Sequence, residues 1–250
     1  MLAAASTDNI ICTALGNASP FGGQGVDSIT ANGAATTIVG GVCTPIQMIK
    51  SAPKMKQDNP KFNATSASLP PQGAIGVETL GHRQYVGGMW EEIGLLQFNF
   101  LKSQGIKPTD TFLDIACGAL RLGVHLIPYL EKGHYLGIEK EQALINAGLK
   151  EELGESLAEE KEPILICDKD FSFDKFGRRI DMAIAQSLFT HLSPETIDEC
   201  MENLKPCMNK NSVFFATYFE SQSQAIIPSQ SHDHGYFAYT KSQMLDFGNR

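Results

Sequence analysis

The sequence lacks both a long apolar run and a regular arrangement of cysteines. No stretch approaches the roughly 20 consecutive apolar residues that a membrane-spanning helix requires, so we expect no membrane partner. The six cysteines form neither a CxxC pair nor the dense framework of small secreted proteins, which predicts reduced thiols. A basic and apolar leader is also missing from the first residues, and the cytoplasm is therefore the expected compartment.

Positive charge is scarce. The chain has 20 Lys and Arg residues against 28 Asp and Glu residues, which gives a formal net charge of -8. This balance disfavours a protein that binds the phosphate backbone of nucleic acids, and no basic surface interleaved with aromatic residues is visible. We therefore expect no nucleic-acid partner.

Charge is almost absent from the first 53 residues, which contain only Asp8, Asp27 and Lys50. This segment is rich in Ala, Gly, Ser, Thr and Asn and shows no helical or strand periodicity, which predicts a flexible arm. The apolar residues within 35–49 are an exception that is compatible with a short strand or helix.

Prolines and polar residues over 50–72 indicate a linker. We accordingly predict two parts, an arm and linker over residues 1–75 and a folded domain over residues 76–250.

Strand and helix patterns alternate after the linker. We predict strands over 111–117, 135–139, 163–168, 180–186 and 212–219, and helices over 84–104, 121–130, 141–153 and 241–248, with a further helix that Ser193 and Pro194 begin. This alternation predicts an α/β fold, a doubly wound and mostly parallel sheet with helices on both faces. Such sheets bind ligands beyond the carboxyl ends of their strands.

The residues that end the first two predicted strands suit a cofactor that contains ribose. Gly118 lies in a turn that opens a helix, where the backbone can approach a ligand and free N–H groups can face an anion. Glu139 ends the second strand 21 positions later, close to the spacing of about 20 residues at which an acid holds ribose hydroxyls.

Asp114 distinguishes between two such cofactors. An acid at this turn repels the pyrophosphate of a dinucleotide, whereas it complements the ammonium and sulfonium groups of S-adenosylmethionine. Ala116 and Arg121 also occupy positions where the dinucleotide fingerprint has glycine. An NAD-dependent oxidoreductase is therefore the weaker alternative.

Residues 114–123, an acid followed by a glycine-containing turn, resemble the first motif of the class I (Rossmann-like) S-adenosylmethionine-dependent methyltransferases. The resemblance extends from about residue 85 to the end of the chain, and 86–90 resembles the segment that closes over the methionine end. It implies that Glu139 holds the ribose, that Asp168 contacts the adenine amino group, and that 185–192 lines the methyl-transfer site. The implied cofactor is S-adenosyl-L-methionine, and the expected contacts are Asp114, Ala116, Cys117, Gly118, Gly123, Glu139, Asp168, Gln186 and Ser187.

The chain departs from the family pattern in two respects. Ala116 and Leu120 stand where many members have glycine, which leaves Gly118 and Gly123 as the fixed glycines of the turn. The family also adds two strands after the fifth, whereas this sequence stops at Arg250. We therefore expect a C-terminally incomplete domain with an open sheet edge beside the fifth strand, and self-association of the isolated chain.

Histidines near the strand ends are candidates for chemistry. His191 is the candidate catalytic base, although packing or hydrogen bonding at a helix entrance is the interpretation that we favour. His232, Asp233, His234 and Tyr236 are expected in a solvated loop, in a region where substrate loops often lie. No third ligand accompanies the two loop histidines at a clear spacing, so we expect no metal.

Several functions stay open at this point. The leading hypothesis is an enzyme (EC 2.1.1.-) that transfers a methyl group to O, N or C of a small-molecule or glycan-like acceptor. The second is a non-catalytic module that uses the same fold to bind the cofactor or to assemble with a partner. A nucleic-acid methyltransferase lacks a recognisable target-base motif here.

Overall fold

A mostly parallel sheet with helices on both faces organises the chain. The computed structural model describes residues 71–228 and 232–249, and the backbone of residues 9–15 and 36–38. The strands are β1 (Asn9–Leu15), β2 (Thr36–Ile38), β3 (Phe112–Ile115), β4 (Tyr135–Glu139), β5 (Ile164–Cys167), β6 (Ile180–Ala185), β7 (Met208–Glu220) and β8 (Ala238–Tyr239). The helices are α1 (Gly73–Leu80), α2 (His82–Tyr85), α3 (Trp90–Ser103), α4 (Gly123–Tyr129), α5 (Gln142–Ala147), α6 (Glu155–Lys161), α7 (Pro194–Leu204) and α8 (Lys241–Asn249). None of the helices in these ranges has the length and apolar character needed to cross a membrane.

The order of the strands confirms the predicted doubly wound sheet. The order is β2-β1-β7-β6-β3-β4-β5, and β8 pairs with the end of β7. Neighbours from β1 to β5 along this path are parallel, whereas β1 and β2 are antiparallel. The chain runs outward from β3 through β4 to β5 and then returns to the other side of β3 with β6. The carboxyl ends of β3 and β6 therefore flank the point of reversal at which such folds bind ligands.

The N-terminal segment contributes to the sheet. β1 pairs in parallel with β7 from Asn9 opposite Val213 to Leu15 opposite Phe219. The expectation of an open edge beside the fifth predicted strand, which is β7, is therefore wrong, and the expected self-association loses its basis. β1 has no charged residue and contains two adjacent isoleucines, a composition that favours a strand in spite of the missing periodicity. The division into residues 1–75 and 76–250 stays a prediction.

Two predicted helices are interrupted. The helix predicted over 84–104 is two helices, α2 and α3, separated by Gly87, Gly88 and Met89, which all have left-handed backbone angles. The helix predicted over 141–153 is α5 followed by a π-helix at Gly148–Leu153. In both cases the helical spacing of apolar residues continues across the point where the α-helix ends, so the sequence pattern did not show the interruption.

Side chains of the sheet alternate between two apolar layers. Leu113, Ile115 and Phe214 belong to one cluster, which α7 and α8 cover. Phe112 and Phe215 belong to the other, which α3 and α4 cover. This alternation assigns each residue at a strand end to one face of the sheet.

Candidate functional site

A cavity of about 540 Å³ lies at the carboxyl ends of the central strands. β3 is the middle strand of this group, because Asp114 pairs with Ile184 of β6 and Ile115 pairs with Ile138 of β4. The volume is in the range of sites for small molecules and cofactors. The residues that line it are therefore the candidates for binding.

The structure brings together most of the residues selected from the sequence. The cavity is lined by Asp114, Ala116, Cys117, Gly118, Glu139, Asp168, Gln186, Ser187 and His191. Gly123 is not among the lining residues, since it is buried at the start of α4. A Cβ there would lie 2.9 Å from Cβ of Leu120, so the glycine permits close packing inside the turn.

Asp114 is a buried acid that accepts a hydrogen bond from a buried tyrosine. Its carboxyl group accepts a hydrogen bond of 2.6 Å from the hydroxyl of Tyr135, and the residue is 4% exposed. Burial raises the pKa of Asp114 to about 7, an effect that the Tyr135 hydroxyl and the charge of Arg121 only partly offset. The acid is therefore close to half ionised at neutral pH and responds strongly to a nearby cation.

Glu139 fixes the glycine turn to the neighbouring strand. Oε2 accepts a hydrogen bond from the backbone N–H of Gly118 at 3.0 Å, and Oε1 accepts one from Glu141 at 3.1 Å. Burial raises the pKa of Glu139, while these two backbone donors, together with the charge and backbone N–H of Lys140, oppose the rise. A carboxylate has about four lone-pair sites, so two remain for a ligand.

Two residues of the turn that are not glycine have a left-handed backbone conformation. Ala116 and Leu120 have φ values of 59° and 66°, and Gly118 has 55°. A left-handed conformation costs a residue with a side chain roughly 1–2 kcal/mol, so the fold maintains this geometry against local strain. The backbone N–H of Gly118 donates to Glu139, and α4 begins only at Gly123, after the turn. The expectation that a free N–H at Gly118 faces an anion is therefore wrong.

Asp168 lies beyond β5 in a loop that it holds together. Oδ1 accepts hydrogen bonds from the backbone N–H of Asp170 at 2.7 Å and of Ser172 at 3.3 Å, and Oδ2 accepts one from Lys175. The Lys175 ammonium, with these backbone donors, lowers the pKa of Asp168 to about 2. The carboxylate stays ionised, and Oδ2 retains a lone pair for a donor in the cavity.

His191 has a defined tautomer. Its Nδ1 lies 2.6 Å from the carbonyl oxygen of Gly235, which can only accept, so Nδ1 carries the proton and Nε2 has a free lone pair. Burial lowers the pKa of His191 to about 4. The imidazole is therefore neutral at physiological pH.

Asp233 connects three parts of the chain over the cavity. It accepts hydrogen bonds from the hydroxyl of Tyr85 and from Lys140, and its own N–H donates to Gln72 at 3.1 Å. Burial raises the pKa of Asp233, but Lys140 and Tyr85 outweigh it and the net change is downward. The expectation of a solvated loop is therefore wrong here, because contacts across about 150 residues of sequence bury this carboxylate and leave its side chain 12% exposed.

The segment that precedes α3 crosses the glycine turn. A Cβ on Gly118 would lie 3.0 Å from Cγ1 of Val86, and Arg121 donates a hydrogen bond of 2.9 Å to the carbonyl oxygen of Gly88. Tyr85, Val86 and Gly87 also line the cavity. The segment 86–90, selected from the sequence as a closing element, is thus placed against the turn.

Cys117 is unsuited to nucleophilic chemistry. It is 5% exposed, and burial together with the charges of Asp114 and Glu139 raises its pKa well above the usual value for a thiol. The thiol is therefore protonated, as expected for a small residue that only packs beside a ligand.

Three cavity residues carry buried polar atoms without a hydrogen-bond partner in the described ranges. These atoms are Oε1 of Gln97, Oε1 of Gln186 and Nε2 of His234. Gln186 was selected from the sequence as a cofactor contact, His234 was expected in a solvated loop, and Gln97 was missed. The signal for Gln97 was present, because it lies three residues after Gly94 and four before Leu101, on the buried face of α3. Unpartnered buried polar atoms that face a cavity indicate a ligand that completes them.

Comparisons with known proteins identify the fold. No protein-family model matches the sequence. A structure titled as an O-methyltransferase from Nostoc punctiforme, with that activity inferred, aligns with 71% of this chain and 57% of its own length, at 14% identity and a TM-score of 0.50. Magnesium protoporphyrin IX methyltransferase from Synechocystis, solved with bound S-adenosylmethionine, aligns with 63% of this chain and 65% of its own length, at 12% identity and a TM-score of 0.45. An S-adenosylmethionine-dependent methyltransferase from Clostridium acetobutylicum aligns with 64% of this chain and 78% of its own length, at 12% identity and a TM-score of 0.43.

The fold is that of the Rossmann-like methyltransferases, as the sequence predicted, and the Nostoc structure shares it. The strand order and the position of the cavity agree with this assignment. The aligned region spans just under two thirds of the Synechocystis enzyme.

Proposed function

We propose that the chain is an S-adenosylmethionine-dependent methyltransferase (EC 2.1.1.-) that acts on a small-molecule or glycan-like acceptor. The observation that carries the proposal is the pair of buried acids, Asp114 and Glu139, at one cavity on adjacent strands of this fold. Glu139 has lone pairs free for two ribose hydroxyls, and Asp114 places negative charge beside a cation.

The residues present fit a ligand that joins an adenosine to a cationic amino acid. When bound, S-adenosylmethionine supplies a methyl group that its sulfonium makes electrophilic. Glu139 would hold the ribose, Asp114 would attract the positive charge, and Oδ2 of Asp168 would accept from the adenine amino group. A dinucleotide fits less well, because the N–H of Gly118 is bonded to Glu139 and a pyrophosphate would lie beside Asp114.

The part of the cavity beyond β6 and β7 supports an uncharged acceptor. Phe219 and Tyr236 stack with ring centroids 4.8 Å apart and an interplanar angle of 21°, and both line the cavity. Thr190 and His191 line the same region. Aromatic faces with a few hydrogen-bonding groups suit a ring that carries hydroxyls, such as a phenol or a sugar.

His191 is proposed as the base for a hydroxyl acceptor. Because Nδ1 is held by Gly235, Nε2 can accept the proton that the acceptor loses as it is methylated. The low pKa, about 4, means that protonation of His191 does not limit the reaction between pH 5.5 and 8. A group with this pKa is a weak base, so its contribution depends on placement.

Replacing His191 with asparagine is expected to lower turnover about 10²- to 10⁴-fold and to leave cofactor affinity unchanged. The amide of asparagine can still donate to the carbonyl oxygen of Gly235, but it has no lone pair that accepts a proton at neutral pH. Turnover is measured as release of S-adenosylhomocysteine from S-adenosylmethionine, with panels of phenols, oligosaccharides and amines as acceptors.

The matched control is His125→Asn, a histidine on α4 that does not line the cavity. Loss of turnover in both variants, or full turnover in His191→Asn, would show that His191 only packs beside the site. Equal S-adenosylhomocysteine affinity in the wild type and both variants is required for the comparison.

A non-catalytic module on the same fold is the second candidate. The left-handed backbone of Ala116 and Leu120 favours this candidate, because many family members have glycine at these two positions and avoid the strain. The two candidates differ in one measurement, since the module binds S-adenosylhomocysteine but releases none from S-adenosylmethionine with any acceptor in the panels.

A further inference from the structure

The segment 232–237, which we call the strap, is attached to the side of the cavity proposed for the acceptor. The N–H of Phe237 donates a hydrogen bond of 2.9 Å to the carbonyl oxygen of Thr190, which follows β6. The ring of Tyr236 stacks on Phe219 of β7, with the ring centroids 4.8 Å apart. These contacts fix the C-terminal half of the strap to the ends of β6 and β7.

The strap also sets the tautomer of His191. The carbonyl oxygen of Gly235 lies 2.6 Å from Nδ1 of this histidine. The carbonyl group belongs to a tight turn, since the N–H of Gly235 donates to the carbonyl oxygen of His232 at 2.7 Å and the N–H of His234 donates to Nδ1 of His232 at 3.1 Å. A turn closed by two internal hydrogen bonds moves as a unit, so a contact that fixes residues 232–235 also fixes the carbonyl group at His191.

Asp233, inside this turn, is bonded to the side of the cavity proposed for the cofactor. Oδ1 accepts from Lys140, the residue that follows Glu139 at the end of β4, and Oδ2 accepts from the hydroxyl of Tyr85. Its own N–H donates to Oε1 of Gln72 at 3.1 Å. The side chain of Asp233 is 12% exposed, and a hydrogen bond to an ionised group is roughly twice as strong as one between neutral groups. The turn is therefore held from both β4 and α2.

The strand order places the two attachments of the strap on opposite sides of β3. β6 and β7 lie on one side of this strand, and β4 lies on the other. The strap comes after β7 in the chain and contacts Lys140 after β4, so it crosses the carboxyl end of β3. An edge-to-face contact between Tyr85 and His234, with centroids 5.0 Å apart, lies beside this crossing. Asp233 is thus a polar link between the two halves of the cavity.

Asp233 is unsuited to transferring a proton itself. Burial raises its pKa, but the hydrogen bonds from Lys140 and Tyr85 outweigh this effect and the net change is downward. The carboxylate therefore stays ionised at neutral pH, and both of its oxygens already accept a hydrogen bond. Its influence on the reaction passes through the turn to Gly235 and from there to His191.

We propose that Asp233 is a positioning residue that holds the carbonyl oxygen of Gly235 against Nδ1 of His191 and so keeps the proton off Nε2, the atom proposed as the base. This inference rests on the proposed function. Without the carbonyl group, a neutral imidazole exchanges between its Nδ1–H and Nε2–H forms, and Nε2 of the second form cannot accept a proton. Breaking the link at Asp233 therefore reduces the fraction of molecules that have a competent base.

Asp233→Asn tests the link, because asparagine suits a turn as aspartate does but removes the charge that Lys140 contacts. The tautomer of His191 is determined from the imidazole ¹H–¹⁵N spectrum of the ligand-free protein at neutral pH, with His191→Asn to identify its signals. We expect the Nδ1–H form alone in the wild type and a mixture with the Nε2–H form in the variant.

The same variant is expected to lose turnover and to keep its affinity for the cofactor product. Release of S-adenosylhomocysteine from S-adenosylmethionine, with acceptors that the wild type methylates, should fall about 10- to 100-fold, because displacing a reacting group by about 1 Å has effects of this size. Calorimetry should give an S-adenosylhomocysteine affinity within about threefold of the wild type, since the change acts on the acceptor side of the cavity.

Asp246→Asn is the matched control, because Asp246 is an exposed aspartate on α8 that does not line the cavity. Tyr85→Phe removes one donor to the same carboxylate and is expected to change the tautomer in the same direction but less, so the test does not depend on one variant. Thermal melting checks that each variant is folded.

Three results would overturn the positioning role. These are the Nδ1–H form alone in both variants, a changed tautomer with full turnover, and a loss of S-adenosylhomocysteine affinity as large as the loss of turnover. Absence of turnover in the wild type with every acceptor would overturn the proposed function, and this inference with it, whatever the tautomer of His191. The two failures are therefore distinguishable.

Discussion

Replacing Glu139 with glutamine is expected to weaken S-adenosylhomocysteine binding by at least about 100-fold. The carboxylate already accepts from Gly118 and Glu141 and has two lone-pair sites left for the ribose hydroxyls. Glutamine has a single acceptor oxygen and places an NH₂ group against one of these donors. Since a hydrogen bond to a charged group contributes about 1.5–3 kcal/mol, losing one or two of them accounts for an effect of this size.

Calorimetric titration measures this loss, and Glu162→Gln is the control. Glu162 is an exposed glutamate, with a side chain 61% exposed, that pairs with Lys132 at the surface and is remote from the cavity lining. Circular dichroism and thermal melting confirm that the variant is folded before affinity is compared. A folded Glu139→Gln protein that binds within threefold of the wild type would remove Glu139 from the ribose site.

Replacing Asp114 with asparagine is expected to change how stability depends on pH. The pKa of Asp114 is about 7 in the folded protein and 3.8 for the ordinary group, so the unfolded chain ionises first as pH rises. The wild type therefore loses stability between about pH 4 and pH 7, and the loss is complete above pH 7. Asparagine does not ionise, so the variant lacks this decline.

The expected difference is large enough to measure by urea unfolding. Because one pKa unit is equivalent to about 1.4 kcal/mol, the stability of Asp114→Asn relative to the wild type should rise by about 2–3 kcal/mol between pH 5 and pH 8.5. Any change in stability caused by packing the asparagine amide is the same at both pH values, so it cancels from this difference. Asp174→Asn, at an exposed position, is the control. Parallel pH profiles of the Asp114 variant and the wild type would contradict a raised pKa.

The same substitution tests the role of Asp114 in binding. The ammonium group of S-adenosylhomocysteine prefers an ionised carboxylate beside it, so the affinity of the wild type for this ligand should increase up to about tenfold from pH 6 to pH 8. Asp114→Asn should bind more weakly and without this increase. An identical pH dependence in both proteins would leave Asp114 with a structural role only.

Much of the fold follows from local patterns in the sequence. β4 coincides with the predicted strand over 135–139, and Ser193 caps α7 through the N–H of Thr196, with Pro194 at its first position as predicted. These elements are specified by residues near in sequence, through strand alternation and helix capping. β1 was missed because its pairing with β7 spans about 200 residues and leaves no local periodicity.

The candidate site was predictable only in part, for a similar reason. Asp114, Gly118 and Glu139 follow from their positions at strand ends, since the topology of a parallel sheet brings those ends together. The contacts of Asp233 depend on packing between distant elements, which spacing along the chain does not reveal. The burial of Gln97 follows from its spacing from Gly94 and Leu101 on α3, although the sequence analysis did not select it. The sequence shows that Ala116 stands where many family members have glycine, and the structure adds that this residue has a left-handed backbone, with a φ of 59°.

Calorimetric titration of the wild-type chain with S-adenosylhomocysteine, and in parallel with NADH, tests the central claim most directly. The geometry of Asp114 and Glu139 predicts saturable binding of S-adenosylhomocysteine at one site and no binding of NADH. Binding of NADH alone, or of neither ligand by a chain shown to be folded, would contradict the assignment of this cavity to S-adenosylmethionine.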